Sequence, residues 1–164
     1  MDELVSPDVI SLDAIDLRLL DTLQRDASLS NQALAERLGV SPATCLRRTK
    51  RLVDAGVIER RVALLAADRL GASLGAIVEI TLDRQGAEHL TAFEARVAAD
   101  AAVRQCWRVS PGPDLVLMVE VRDMAGYGAL VQRLFTQDAN VRNVKAYFVV
   151  ARAKFDTATL LPEG

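Results

Sequence analysis

The first third of the chain repeats apolar positions every three to four residues, which predicts short amphipathic helices. The first covers residues 13–25, with Asp13 as its N-cap and with one apolar face made of Ile15, Leu19, Leu20 and Leu23. The second covers residues 30–38 with Ser30 as its cap, and Gly39 ends it as glycine commonly does just past a helix C-terminus.

A third helix over residues 41–55 has the strongest start signal in the chain. Ser41 is a good N-cap, and Pro42 falls at the first helical position, where its missing N–H costs nothing. The inner face is small or apolar and consists of Cys45, Thr49 and Leu52. The tight turn between the second and third helices predicts a helix-turn-helix, with Cys45 as a small buried residue and not as a reactive thiol.

Residues 57–65 have extended character, like the wing that follows such a motif. Their Arg60 and Arg61 would extend a basic surface that begins with the arginines and lysine of the third helix. Downstream, the pattern predicts strands over 74–82, 103–109, 115–121 and 141–151, with helices over 86–98 and 124–136. The order β-α-β-β-α-β is that of a ferredoxin-like sandwich. The predicted fold class is therefore α+β, with an N-terminal winged helix-turn-helix followed by a ferredoxin-like βαββαβ sandwich.

The predicted boundaries follow from these elements. They give a DNA-binding domain over residues 1–64, a connector over 65–73, a ferredoxin-like domain over 74–155 and a tail over 156–164. Strands 74–82 and 115–121 carry apolar residues on both faces, whereas two helices cover only one face of the sheet. A homodimer that covers the second face is the simplest solution, and Trp107 and Tyr147 are expected as core or dimer contacts.

Charge is distributed unevenly, although the net charge is only −2. Residues 1–40 carry three arginines against eight acidic residues, whereas residues 41–61 carry six Lys/Arg against two acidic residues. Residues 62–164 are nearly balanced, with eleven Lys/Arg against twelve acidic residues. A short basic segment in a mildly acidic protein is typical of phosphate contact, although a solvated basic helix face is the alternative.

The positions of these residues on the third helix predict their contacts with double-stranded DNA. The N-terminal part of a recognition helix enters the major groove, so the candidates for base edges are Ser41, Ala43, Thr44 and Arg47. The candidates for phosphate contact are Arg48, Lys50, Arg51, Arg60 and Arg61. Ser30 and Asn31, at the start of the second helix, are assigned to the same DNA interface.

Other function classes lack support in the sequence. The one histidine, His89, has no sequence-local acid or nucleophile partner, and no phosphate loop or metal-ligand cluster is present, so neither an enzyme nor a metal or other cofactor is expected. Two distant cysteines, Cys45 and Cys106, argue against a disulfide scaffold and fit a reducing cytoplasm. No apolar run reaches the roughly 18 residues of a membrane span, and the N-terminus lacks the pattern of a secretory signal.

The chain resembles the Lrp/AsnC family of leucine-responsive, or feast/famine, transcriptional regulators. The resemblance covers residues 12–155 and is strongest in the motifs Leu38-Gly39-Val40-Ser41-Pro42, Cys45-Leu46-Arg47-Arg48 and Gly56-Val57-Ile58. It implies a dimer that assembles further into rings such as an octamer, pseudo-palindromic DNA, and an amino-acid effector held by the C-terminal domain.

The effector region departs from the family pattern. Pro111-Gly112-Pro113-Asp114 stands where the family usually has a Gly-x-x-Asp turn, and Val144 and Ala146 stand where threonines are frequent. The resemblance assigns Ser110, Gly112 and Asp114 to the effector. A rigid turn, in which Asp114 caps backbone N–H groups, is the alternative. A second function also stays open, namely a small-molecule-sensing or assembly protein with weak or non-specific, chromatin-like DNA binding.

Overall fold

The computed structural model describes residues 10–66, 69–71 and 73–162. The chain forms two compact units. Leu65–Ala153 is the sheet unit, and the helical unit combines the described residues before Leu65 with the segment that begins at Lys154. The segment from Lys154, which the sequence places at the end of the sandwich and in a tail, thus groups with the helices.

Three capped helices build the helical unit, namely α1 (Ala14–Arg25), α2 (Asn31–Leu38) and α3 (Pro42–Asp54). Asp13 caps α1 in a capping box, in which its carboxylate accepts the N–H groups of Ile15 and Asp16 while the Asp16 side chain accepts the Asp13 N–H. Ser30 caps α2 and Ser41 caps α3. The three predicted caps are therefore confirmed.

Gly39 makes the tight turn between α2 and α3. Its φ of 70° lies in the left-handed region, where a side chain would be strained. The three helices enclose a core that includes Leu19, Leu34, Cys45 and Leu52, and Leu161 from the C-terminal segment packs against it. Cys45 is fully buried, as predicted.

Residues 57–66 form no strand in the described part of the chain. The N–H groups of Val57 and Ile58 both donate to the Leu52 carbonyl, at 3.0 and 3.1 Å, and close the end of α3. Beyond Ile58 the segment is exposed, and Arg60 and Arg61 lie on it. In place of the wing expected from the sequence there is thus an exposed segment without ladder hydrogen bonds, because the described residues supply no neighbouring strand.

The sheet unit has the predicted order of elements. Its strands are β1 (Leu74–Leu82), β2 (Val103–Arg108), β3 (Leu115–Val121) and β4 (Val141–Phe148), and its helices are α4 (Ala87–Ala98) and α5 (Met124–Val131). The strands pair antiparallel in the order β2-β3-β1-β4. The last strand ends at Phe148 and not at residue 151, because Phe148 pairs with Ala76 near the start of β1. Helix α5 continues as a π-helical turn over Gln132–Thr136.

The two faces of the sheet differ in burial. One face packs on α4 and α5 and contains the core, including Val78, Ile80, Leu117 and Val119, which are fully buried. The other face, which we call the open face, carries Ile77, Trp107 and Tyr147 at 37%, 48% and 42% exposure. Large apolar side chains therefore stand on a sheet face that neither α4 nor α5 covers.

Candidate DNA interface

The N-terminus of α3 presents small and cationic groups to solvent. Ser41, Ala43 and Arg47 are exposed, and Thr44 is half-buried. The Ser41 hydroxyl accepts the Thr44 N–H at 3.2 Å and donates to the Thr44 hydroxyl at 2.9 Å. The four residues predicted to face bases thus lie together on the first two turns of α3, with the two hydroxyls held in a fixed arrangement.

The start of α2 is tied to the start of α3. Ser30 accepts the Ala33 N–H at 3.2 Å as the α2 cap, and the Asn31 amide donates to the Pro42 carbonyl at 2.9 Å. Both predicted residues therefore lie near the turn of the motif. Both side chains make hydrogen bonds within the protein. The Ser30 cap was predicted from the sequence, whereas the Asn31 bond was not, because its partner lies in another helix.

The cations of α3 fall into two sets. Arg47 and Lys50 are exposed, and neither takes part in an ion pair within the described part of the chain. Arg48 lies against α1, where its Nη1 is 2.7 Å from Asp13 Oδ2 and 2.8 Å from Asp16 Oδ1. Arg51 contacts the second oxygen of Asp16. Two of the arginines predicted to hold phosphates are thus engaged inside the protein.

We call this group the Asp16 cluster (Asp13, Asp16, Arg48 and Arg51), and within it hydrogen bonding favours the charged forms of Asp13 and Arg48. The N–H of Asp16 and then the Arg48 guanidinium hold the pKa of the Asp13 carboxyl below its ordinary value. Hydrogen bonds to Asp13 and then Asp16 raise the pKa of Arg48. Arg48 therefore stays a cation while it is paired.

Sequence reasoning missed the role of Asp16, which stands in the first turn of α1. A usable signal was present, because Asp16 stands three and four residues before Leu19 and Leu20 on the apolar face of α1. An acidic residue on a core-facing stripe needs a buried cationic or hydrogen-bonding partner. Its exposure is 1%.

The turn between β2 and β3 contains the three residues assigned to an effector. Asp114 Oδ2 accepts the Leu82 N–H at 2.7 Å, and the Asp114 N–H donates to the Ile80 carbonyl at 2.9 Å. Gly112 has a φ of 126°, and Ser110 is exposed. Asp114 thus caps a backbone N–H, as the rigid-turn alternative expects, and its other carboxylate oxygen accepts no hydrogen bond from the described residues.

A metal site, a reactive side chain and a membrane span each place requirements on the described residues. No group of three or more His, Cys, Asp or Glu side chains there is placed to hold a metal ion. His89 Nε2 lies 3.5 Å from Glu88 Oε1, so the expectation that this histidine has no sequence-local acidic partner is wrong. Burial raises the pKa of the Cys106 thiol, which disfavours the reactive thiolate. Within the same residues, no helix is long and apolar enough to cross a membrane.

Family comparisons cover nearly the whole chain. Residues 12–59 match the family described as winged helix-turn-helix DNA-binding, and residues 75–159 match the Lrp/AsnC ligand binding domain. A leucine-responsive regulatory protein of Rhizobium meliloti is 38% identical over 145 residues, which is 88% of this chain and 93% of that protein. One from Haemophilus influenzae is 38% identical over 144 residues, covering 88% and 87%.

Solved structures agree with these matches. An AsnC family transcriptional regulator from Agrobacterium tumefaciens superposes with a TM-score of 0.83 at 31% identity, covering 91% of this chain and 97% of that one. A transcriptional regulator from Neisseria meningitidis in complex with L-Met gives 0.83 at 29% identity, covering 92% and 97%. These relatives are all named as regulators. The predicted family, fold class and function are confirmed: this chain belongs to the Lrp/AsnC family of DNA-binding transcriptional regulators.

Proposed function

We propose that this regulator reads its operator with the first two turns of α3. The observation that carries the proposal is the capped, solvent-facing start of that helix, where Ser41, Ala43 and Arg47 are exposed. In a helix-turn-helix this part of the second helix enters the major groove. Arg47 has the paired donors that guanine accepts, and Thr44 can donate to a base or contact a thymine methyl.

In this proposal, groups that surround the start of α3 contact the DNA phosphates. Lys50 lies on the exposed side of α3, and Arg60 and Arg61 lie on the exposed segment after it. Ser30 and Asn31 begin the helix that crosses the DNA backbone in this motif, so their polar groups and the free N–H groups of the α2 N-terminus face phosphates. Together these groups hold the helix in register on the duplex.

Selection of duplexes from a random pool with the full chain tests this proposal. We expect one pseudo-palindromic motif to be enriched. Arg47→Ala should relax the preference at one base position in each half-site. It should also weaken the free energy of binding by about 1–3 kcal/mol. Arg25→Ala, which removes the same charge from the end of α1, is the matched control and should leave the motif unchanged. Equal affinity for scrambled duplexes would support the chromatin-like alternative instead.

The sheet unit supplies the dimer contact in this proposal. Ile77, Trp107 and Tyr147 stand exposed on the open face, which offers a second copy an apolar surface. On the same face Glu79 of β1 lies opposite Lys145 of β4, so the face offers a second copy groups of both charges. Two such subunits present two α3 helices to a pseudo-palindromic site, and dimers are the building blocks of an octamer or another ring.

An amino acid is the proposed effector, and the β2–β3 turn is its proposed site. A related regulator from Neisseria meningitidis was crystallised with L-Met, and the sheet unit here matches the ligand binding domain of the family. The carboxylate of Asp114 could hold the ammonium group of an amino acid with the oxygen that the Leu82 N–H does not use. Ser110 and the N–H of Gly112 supply polar partners for the other end.

Thermal shift with each of the twenty amino acids tests the effector, because a ligand bound only by the folded state raises Tm. Asp114→Asn sharpens the test, since an amide oxygen can still accept the Leu82 N–H while the negative charge is lost. We expect Asp114→Asn to keep the Tm of the free protein and to lose the ligand-induced rise. No shift with any amino acid at millimolar concentration would point to an effector-independent regulator.

Its site of action is proposed to be the cytoplasm, where bacterial DNA and a reducing environment coincide. Both cysteines are free thiols, with Cys45 buried and Cys106 half-buried. Reducing conditions maintain such thiols without a disulfide.

A further inference from the structure

Asp16 is the one charged side chain that is buried among the described residues, at 1% exposure. One carboxylate oxygen lies 2.8 Å from Arg48 Nη1, and the other contacts Arg51 and accepts the Asp13 N–H at 3.1 Å. Both arginines belong to α3, whereas Asp16 belongs to α1. A single carboxylate thus joins the first helix to two successive turns of the recognition helix.

A buried carboxylate is costly unless cations or hydrogen-bond donors surround it. Asp16 therefore needs Arg48 and Arg51 in the folded protein, and the two guanidinium groups are not equivalent to solvated surface cations. The Arg48 side chain is only 18% exposed, and that of Arg51 is 45% exposed. A DNA phosphate that took either arginine would leave the Asp16 charge with less compensation.

Helical geometry separates the paired cations from the unpaired ones. At 3.6 residues per turn, Arg47 and Lys50 project from the side of α3 opposite the buried Cys45 and Leu52. Arg48 and Arg51 lie on the flank between that outer side and the core. The rotation of α3 about its own axis decides which cations face outward, and the ion pairs to Asp16 fix that rotation.

We propose that Asp16 is a positioning residue for DNA recognition. It holds Arg48 and Arg51 on the inner flank of α3, so these arginines orient the helix and phosphate contact on α3 falls to Lys50. This inference rests on the proposed placement of α3 in the major groove. It changes the role that the sequence suggests for Arg48 and Arg51.

The salt dependence of binding distinguishes a phosphate contact from a structural cation. Each phosphate contact on B-DNA adds about 0.9 to the slope of log K against log salt. The probe is the duplex that the wild-type protein enriches from a random pool, and the matched pair is Arg51→Gln and Lys50→Gln. Each variant loses one positive charge from a partly or fully exposed position of α3.

We expect Lys50→Gln to flatten the slope by about 0.9 and Arg51→Gln to leave it unchanged. Arg51→Gln should instead lower Tm and reduce the ratio of affinities for the enriched and scrambled duplexes. Flattening by Arg51→Gln equal to that of Lys50→Gln would overturn the inference while leaving the DNA interface intact. An unchanged slope in both variants would show that α3 does not lie on the DNA, and the proposed function would fail with it.

Asp16→Asn gives the complementary test. Loss of the charge releases Arg51 and leaves Arg48 held by Asp13 alone, so we expect a steeper slope, by about 0.9 for each arginine that reaches a phosphate, together with weaker discrimination between the two duplexes. A merely structural residue would lower Tm without steepening the slope, and that result would count against the inference. If Asp16→Asn does not fold, Arg51→Gln still decides, because its side chain is partly exposed.

Discussion

The Asn31 amide donates a hydrogen bond of 2.9 Å to the carbonyl of Pro42. This contact joins the first turn of α2 to the first turn of α3 across eleven residues of sequence. The contact holds the turn between α2 and α3 through a side chain, whereas Gly39 forms that turn through its own backbone conformation. The relative placement of the two helices therefore depends on a side chain that sequence patterns alone assign to DNA.

Asn31→Ala should consequently destabilise the protein in the absence of DNA. Loss of one such hydrogen bond costs about 0.5–1.5 kcal/mol, whereas Gln32→Ala, at the exposed neighbouring position, should stay within about 0.5 kcal/mol of wild type. Thermal denaturation of both variants measures the difference. Unchanged Tm in Asn31→Ala combined with weaker DNA binding would show that the amide acts on DNA alone.

Ser41→Ala removes the cap of α3. The lost cap should cost about 0.5–2 kcal/mol, because the Thr44 N–H then lacks its acceptor. Ser41→Asp restores an acceptor for that N–H but places a negative charge where a phosphate or base is expected. We therefore expect Ser41→Asp to recover Tm while binding duplex DNA more weakly than Ser41→Ala. Tighter binding by Ser41→Asp would contradict the proposed position of Ser41.

The C-terminal segment offers a matched pair of leucines. Leu161 packs against the core of the helical unit, whereas Leu160 is 98% exposed. The Thr159 N–H also donates to Gln24 Oε1 at 2.9 Å, which fixes the segment on α1. We expect Leu161→Ala to lower the free energy of unfolding of this unit by about 1–2 kcal/mol and Leu160→Ala to have little effect. Hydrogen exchange at the α1 amides measures this locally.

A charged substitution on the open face of the sheet tests whether a second copy of the chain binds there. Ile77→Glu places a carboxylate among Trp107 and Tyr147 on the surface proposed for the partner copy, and it should shift the protein from dimer to monomer at micromolar concentration in light scattering. Met124→Glu, at a 58% exposed position on α5, is the control and should remain dimeric. A dimer that survives Ile77→Glu must use another surface.

Stability at acid pH should depend on the ion pair between Asp100 and Arg133. Arg133 Nε lies 2.6 Å from Asp100 Oδ2, and this hydrogen bond is the main reason why the pKa of Asp100 lies below its ordinary value of 3.8. A depressed folded-state pKa adds stability above the unfolded value, and that stability is lost as pH falls through the folded value. Arg133→Gln should be less stable than wild type at pH 7, and the difference should shrink below about pH 4. Thermal melts from pH 7 to pH 2.5 measure the stability of the variant and of the wild type. A stability difference that widens in acid would contradict this assignment.

The sequence predicted best what is decided locally. The caps at Asp13, Ser30 and Ser41 depend on groups two or three residues away, so their residue types and spacing were enough. The strands β1 and β3 kept their predicted bounds because each is a continuous apolar run with clear ends. The fold class followed from the order of these elements.

The parts that escaped prediction depend on partners far along the chain. Asp16 meets Arg48 across 32 residues. Capping of a backbone N–H by Asp114 was one of the two expected roles, but its partner, Leu82, lies 32 residues away. The sequence assigned Arg48, Lys50 and Arg51 alike to phosphates, yet the contact with α1 separates Arg48 and Arg51 from Lys50. The π-helical turn at Gln132–Thr136 continues the apolar pattern of α5 and leaves no mark in the composition.

The grouping of the segment after Lys154 with the first three helices has a consequence for biosynthesis. The helical unit is discontinuous in sequence, since the sheet unit is inserted between its two parts. A ribosome delivers α1, α2 and α3 first, but Leu161 reaches their core only after the whole sheet unit has been made. During synthesis the three helices therefore lack the packing of Leu161. The helical unit gains its full stability only after the inserted sheet unit and the C-terminal segment have been synthesised.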